Sequence, residues 1–540
     1  MDLLKARREP SFGRFEAIVL GLYALLVGCI TWYHEPWADE AQSWLIARDS
    51  GFIELFAKRL HYEGTPGLWH LWLWIMCRLH VSFTGMHWIT VLTSIAAMYL
   101  LLRYSPFPPL VRALLPFCFS FVFLTAIIAR NYSLAPLLTF PACGILTGKK
   151  ERPILFALFL GLLANTSSLA FLLALGLLPL YVVFRNGHVL QQQRRDLVFA
   201  GTLVVVLMAF AAYTALPAPD MTYGIGERLG SNPTLGHLLS EVTGIPQSAM
   251  KQNVSRAPMK SPLEQNVFLA RHASHPFLSK TIVRIVSFAS IAFFAVSSSN
   301  ILAIVFYGAL LWWLSLHRSL AALLPLALVI VGGRFLGIGE HHMSLVTTAI
   351  VVALWLGWAN HNPVSRRSDL VFQIILLVVL LEQALWTVHA AVFDIREPFD
   401  GGEATAQFLL PKSGKELMVN IDYDSLAAVP YLPRNSFRNQ TTSYWPWERG
   451  KDFDDALPEL LETHPAIILN ADSFTKDSIM WDQIIEQMPH NMAYTSHYED
   501  AFLLSHGYHE THRFCGYQPA HFGFYRESCD VIYEPVNKPE

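Results

Sequence analysis

The chain has 540 residues, of which 53% are hydrophobic and only 15% charged, against roughly 45–50% and about 25% in a soluble domain. That balance disfavours an ordinary soluble enzyme, and a net charge of −3 excludes a basic nucleic-acid binder. The charge is also divided, with 28 Lys/Arg against 18 Asp/Glu in residues 1 to 392 (+10) and 11 against 24 in residues 393 to 540 (−13).

Apolar runs near twenty residues long, the length that crosses a hydrocarbon core as helix, begin at once with Phe15 to Thr31. This first run lacks a small-residue cleavage site and leads into Trp32 and Trp37 at interfacial depth, so it is expected to stay as the first span. Further spans are expected near 86 to 102, 112 to 129, 132 to 147, 153 to 165, 168 to 184 and 198 to 215, then 319 to 336, 343 to 360 and 369 to 392. The stretch from Thr281 to Leu316 reads as two short helices or as one interfacial helix followed by one span, and the parity of the Lys/Arg positions decides for one span. With eleven spans the basic groups Lys5/Arg7/Arg8/Arg14, Arg103/Arg112, Lys149/Lys150/Arg152, Arg185/Arg194/Arg195, Arg318 and Arg366/Arg367 lie inside and the acidic terminal domain outside. The expected fold is therefore a polytopic α-helical membrane protein of about 11 transmembrane helices, residues 1 to 392, followed by a soluble α/β domain, residues 393 to 540.

Two outer loops interrupt the membrane part, at 34 to 85 and 217 to 280, both far longer than turns. Asp39 to Leu60 has the apolar spacing of an amphipathic helix, and Pro66 to Leu79 is apolar but short for a crossing. In the terminal domain a helix is expected over Glu403 to Leu410 and strands over Glu416 to Ile421 and Ala466 to Asn470. Cys515 and Cys529 are close enough in sequence to pair, and a pair would place that domain in an oxidising compartment.

The segment HEPWADEAQ, His34 to Gln42, sets three carboxylates just past the first span. Asp39 after a Pro-Trp turn suits a helix cap, and Glu40 suits the positive helix end. A carboxylate at the boundary of water and lipid is also a competent base for a hydroxyl proton. A second cluster, His61-Tyr62-Glu63-Gly64-Thr65-Pro66-Gly67, could fold back on the first, so that His61 or Glu63 with Asp39 and Glu40 could hold a divalent cation. At the outer end of the third span, Arg130 and Tyr132 offer a guanidinium suited to a phosphate. Arg334, His341 and His342 map to the same side and would complete one anion-binding pocket. Glu382, beside Gln383 near the middle of the last span, reads as a functional candidate or, protonated, as a group hydrogen-bonded to a neighbouring helix.

These segments resemble the GT-C superfamily of integral membrane glycosyltransferases, among them the protein O-mannosyltransferases and the aminoarabinose transferase of lipid A. WADEAQSWLIAR (Trp37 to Arg48) is similar to the family's first-loop Asp-Glu motif, HYEGTPGLWHLWLW (His61 to Trp74) to the Glu-x-Pro and aromatic segment after it, and ARNYSLAPLL (Ala129 to Leu138) to the outer end of the third span. The resemblance implies a GT-C-like fold, a polyprenyl-phosphate sugar as donor, and inverting transfer to a glycan, lipid or protein acceptor on the outer face. By position it implies Asp39 as base, Glu40 as its partner, Glu63 as the second-cluster acid, and Arg130 with His341 and His342 on the donor phosphate. Several members carry a second acidic residue after the third span, where this chain has Asn131. The expected location is a bacterial inner membrane, N-terminus cytoplasmic and terminal domain periplasmic. Two other classes fit a polytopic chain: a lipid or solute transporter or flippase, which would show related halves that this sequence lacks, and a noncatalytic envelope scaffold in which Asp39 is only a cap.

Overall fold

The structure is a computed structural model that describes residues 12–184, 194–222, 229, 232–245, 292–336, 342–360, 366–440, 442–448, 460–476, 502–519 and 525–536. The principal helices are α1 (Arg14–Tyr33), α2 (Ala38–Asp49), α3 (Leu68–Arg78), α4 (Gly85–Tyr104), α5 (Ala135–Thr147), α6 (Pro153–Ala164), α7 (Ser168–Leu177), α8 (Arg194–Ala215), α9 (Asn300–Leu316), α10 (Leu324–Leu336), α11 (Met343–Ala359), α12 (Arg366–Arg396) and α13 (Gly402–Leu409). The strands are β1 (Met418–Asn420), β2 (Ile467–Lys476), β3 (Tyr508–Pro519) and β4 (Tyr525–Pro535). The chain divides into two units, one of residues 1–32, 52–217 and 291–391, the other of 33–51, 218–290 and 392–540.

The first unit is helical. Among the described residues α1, α4, α8 and α12 are long and apolar enough to cross a membrane, and Pro109–Phe117 with Phe119–Ile127 forms a further pair bent by 57°. Several shorter apolar helices accompany them, α6, α9 and α11 included. α1 shows how sequence divides such a helix. Val19, Tyr23, Val27 and Ile30 recur at helical spacing and are buried, while Ile18, Leu22 and Leu25 on the other side are exposed and just as apolar. An exposed face of that kind suits hydrocarbon, since water would penalise it. α11 is apolar all round and buried from Met343 through Trp358, as expected of a helix at the centre of a bundle.

Several polar groups inside this unit are satisfied by neighbouring segments, as a low-dielectric interior favours. The Tyr23 hydroxyl donates to the Phe121 carbonyl at 3.0 Å and lies 2.6 Å from Ser94 Oγ. Thr387 donates to the Phe117 carbonyl at 2.8 Å, and Gln383 to that of Val296 at 3.0 Å. Glu382 accepts from the Ser298 backbone N–H at 2.8 Å and from the Ser298 hydroxyl, two residues before α9. The partner is thus a non-helical segment ahead of α9 rather than a helix. The span expected between 281 and 316 is described from 292 onward and contains α9; the part of the second outer loop from 246 to 280 lies outside the described residues.

The second unit carries a four-stranded sheet in the order β1-β2-β4-β3. β1 and β2 run parallel, and β4 pairs antiparallel with β2 on one side and β3 on the other. Val419, Ile468, Val531 and Tyr533 from the strands, with Leu461 and Leu503, form its apolar core. Both sequence-expected strands and the expected helix are present as β1, β2 and α13; the β3–β4 hairpin is an addition. Its strands are joined by a disulfide between Cys515 and Cys529, which stand opposite each other in the register. Gly516 follows because a Cβ there would lie 2.2 Å from the Asp400 Cα, a backbone atom with nowhere to move. The amphipathic helix expected over 39 to 60 is two pieces. α2 ends at Asp49, Ser50 turns extended, and Phe52 begins a new helical segment that belongs to the first unit.

Candidate functional site

The first-loop motif forms the start of α2, within the second unit. Trp37 is the N-cap, with extended backbone, and its N–H donates to Glu40 Oε2 at 3.0 Å. Glu40 thus reaches back over the first turn, satisfies an orphan donor and is fully buried. Capping belongs to Glu40, and Asp39 has a different role. Its carboxylate is half-buried, and Oδ1 accepts from the Tyr423 hydroxyl at 2.8 Å.

What fixes Asp39 is the clamp between α2 and the segment 423 to 447. The Gln42 amide exchanges two hydrogen bonds with Trp445, Nε2 donating to the carbonyl and Oε1 accepting from the N–H, each at 2.8 Å. At the other end of α2, Asp49 accepts from Ser443 and pairs with Arg48 at 2.8 Å and Arg434 at 3.0 Å. Around the Asp39 partner the rings gather, with Tyr423 5.0 Å from Trp447 and 6.1 Å from Trp445, centroid to centroid. Trp447 holds a left-handed backbone, φ 47°, and its carbonyl accepts from Thr222 N–H at 3.0 Å, which ties the second outer loop to the same place. A bulky residue seldom adopts that conformation without a surrounding that enforces it. Sequence reading missed Tyr423, Trp445 and Trp447, and the aromatic run Tyr444-Trp445-Pro446-Trp447 was the signal available for the last two.

Beside the motif is a group of ionisable side chains within the same unit. His34 Nδ1 lies 3.2 Å from both oxygens of Asp394, each side chain buried. Burial opposes the imidazolium, but Asp394, Glu40 and Glu35 together outweigh it and raise the His34 pKa above its ordinary value. Burial, with Glu403 and Asp394 nearby, pushes Glu35 up to about 7, against a backbone hydrogen bond from Asp400. Burial likewise lifts Asp530 to about 7 and Asp400 well above the carboxylate range, the two facing each other. These carboxyls bind protons more tightly folded than unfolded, so their contribution is full below the unfolded carboxylate pKa and is lost as pH rises through about 7. Thermal melts of the whole protein should therefore show a higher Tm at pH 5.5 than at pH 8, the linked loss of stability being on the order of a few kcal/mol. Glu35→Gln should flatten that slope. A Tm that rises toward pH 8 would contradict the assignment. Asp49 and Glu510, held low by Arg48 and Arg513, act only in more acid solution.

The other sequence-selected residues lie in the first unit. His61 is buried, and its Nδ1 is 2.7 Å from the Leu216 carbonyl, so Nδ1 carries the proton and Nε2 is the acceptor. Glu63 ends the same helical turn, closed by Gly64 in the left-handed conformation. Asn131 donates to the Thr65 hydroxyl at 2.9 Å, which joins the 61–67 cluster to the segment that begins at Arg130. Arg130 is half-buried before the 3-10 turn Asn131–Leu134, and Tyr132 is fully buried with its ring edge-on to His342 at 5.8 Å. His70 of α3, not singled out from sequence, is buried within range of the Arg130 charge, and neither ring nitrogen has a hydrogen-bond partner among the described residues. Arg334 lies on α10, but its side chain and the whole of His341 are outside the described residues.

Compared with protein-family models, with curated proteins and with solved structures, the chain matches none. Asp39 offers a held carboxylate with aromatic rings around its hydrogen-bond partner, a set able to take a proton from a sugar or protein hydroxyl and to present flat apolar faces. Arg130, His342 and His70 offer nitrogen groups suited to an anion.

Proposed function

We propose that the chain is an integral membrane glycosyltransferase of the GT-C type, with eleven spans in a bacterial inner membrane. In this reading the N-terminus is cytoplasmic and residues 393 to 540 face outward, where a Cys515–Cys529 disulfide persists. The donor is a polyprenyl-phosphate sugar and the acceptor a hydroxyl on a glycan, lipid or protein. Asp39 takes the acceptor proton, the acceptor oxygen attacks the anomeric carbon from the opposite side, and the bond from that carbon to the phosphate oxygen breaks. Polyprenyl phosphate leaves, its charge met by cationic side chains. Because the phosphate is already a leaving group and the lipid confines the donor to the membrane plane, the protein supplies position and charge.

The observation that carries this reading is the division of labour at α2: Glu40 caps the helix, while Asp39 is half-buried and oriented by Tyr423. A scaffold would need only the cap. The test is mass spectrometry of lipid-linked sugars and envelope glycans in cells with and without the protein. Loss of the protein should cause one polyprenyl-phosphate sugar to accumulate and one glycan decoration to vanish. Identical lipid and glycan profiles in the two strains would refute the reading.

A further inference from the structure

Within the first unit, α6, α8 and the turn Leu180–Phe184 enclose an apolar groove of about 430 Å³. Phe156, Ala157, Leu178, Tyr181, Ala200 and Val204 supply most of its wall. Gly201 also lines it, and a Cβ added there would meet nothing within 4 Å. Glycine inside a helix is unfavourable relative to alanine, and no described neighbour requires its small size, so Gly201 leaves open space where most residues would intrude. Val198, Phe199, Val205 and Val206 on α8 are exposed and apolar, which sets the groove among surfaces suited to hydrocarbon.

One end of the groove is basic. Pro153, in the lining, directly follows Arg152, and Leu197, also in the lining, comes two residues after Arg195. Arg152, Arg194 and Arg195 are exposed, with Lys149 and Lys150 one turn of chain away, against the acidic Glu151 and Asp196. A slot for methylene groups that ends in a surplus of cations has the chemistry of a lipid with an anionic head. By the positive-inside rule that end is in the cytoplasmic leaflet. The geometry points to a site for one anionic phospholipid, its acyl chain in the groove and its phosphate among Arg152, Arg194 and Arg195. This inference rests on the membrane character of the chain and is independent of sugar transfer.

The test is native mass spectrometry of the purified full-length protein in mild detergent, titrated with phosphatidylglycerol or phosphatidylcholine of the same acyl chains. One phosphatidylglycerol should be retained with a preference of at least about tenfold. Arg194→Gln and Arg195→Gln should each weaken it by roughly fivefold, and Gly201→Phe should abolish it by filling the slot. If the phenylalanine variant fails to fold, the arginine pair alone decides. Equal retention of the two lipids, or a preference untouched by the arginine changes, would overturn the site. Displacement of phosphatidylglycerol by equimolar polyprenyl phosphate would overturn it as well, making the groove a donor-tail site.

Discussion

Asp39→Asn is expected to lower sugar transfer by roughly 10²–10⁴-fold, the usual contribution of a positioned general base, while the protein accumulates and melts as wild type does. The separation follows from the first turn of α2. The cap is made by Glu40, whose Oε2 accepts the Trp37 N–H at 3.0 Å, so removing the Asp39 charge leaves the helix start intact. Glu40→Ala should give the reverse phenotype, a stability loss of about 0.5–2 kcal/mol with transfer reduced only in step with folded protein. Tyr423→Phe should fall between them. It deletes a 2.8 Å hydrogen bond to the carboxylate, a kind of bond worth about 1.5–3 kcal/mol, so transfer should drop by roughly tenfold to a hundredfold with the fold retained. The three variants, assayed at matched membrane levels, distinguish base, cap and positioning residue.

The second large effect is structural. Glu16, near the start of α1, and Arg112 are each only 6% exposed and form an ion pair. The rest of each group is satisfied too. Glu16 Oε2 accepts from Gly13 N–H at 2.9 Å, and Arg112 Nε donates to the Phe107 carbonyl at 3.0 Å. Arg112→Leu strands a buried carboxylate and should destabilise the first unit by about 3–5 kcal/mol. Glu16→Gln with Arg112→Leu should recover most of that loss, because the penalty lies in the unpaired charge more than in the missing attraction. Detergent melts of the single and double variants measure it. A double variant no better than the single would show that the arginine acts through packing.

Much of the first unit is legible in the sequence because hydrocarbon-facing helices announce themselves by composition: α1, α4, α8 and α12 coincide with apolar runs visible in the chain. The bend at Cys118 between Pro109–Phe117 and Phe119–Ile127 is not, since one apolar run covers both pieces. In the second unit β1 and β2 carry short contiguous apolar runs, Leu417 to Val419 and Ile467 to Leu469, and α13 buries Thr405, Ala406 and Leu409 at helical spacing. β3 reads YHETHRFCGYQP, and most of its residues are partly or wholly exposed, so no alternation marks it. The hairpin is set by the disulfide and by backbone pairing to β4. The Asp39 surroundings were half legible. The motif showed that a carboxylate sits past the first span, but its partners Tyr423 and the Gln42 partner Trp445 lie 384 and 403 residues away. Nothing local in HEPWADEAQ selects a tyrosine at that distance; the fold does.

The measurement that tests the central claim most directly uses the lipid that accumulates in cells lacking the protein. That fraction is supplied, with acceptor-bearing membranes from the same cells, to purified wild-type and Asp39→Asn protein, and free polyprenyl phosphate is followed with time. Wild type should consume the lipid-linked sugar and release polyprenyl phosphate, and Asp39→Asn should leave it intact. Consumption by Asp39→Asn at the wild-type rate would contradict the account.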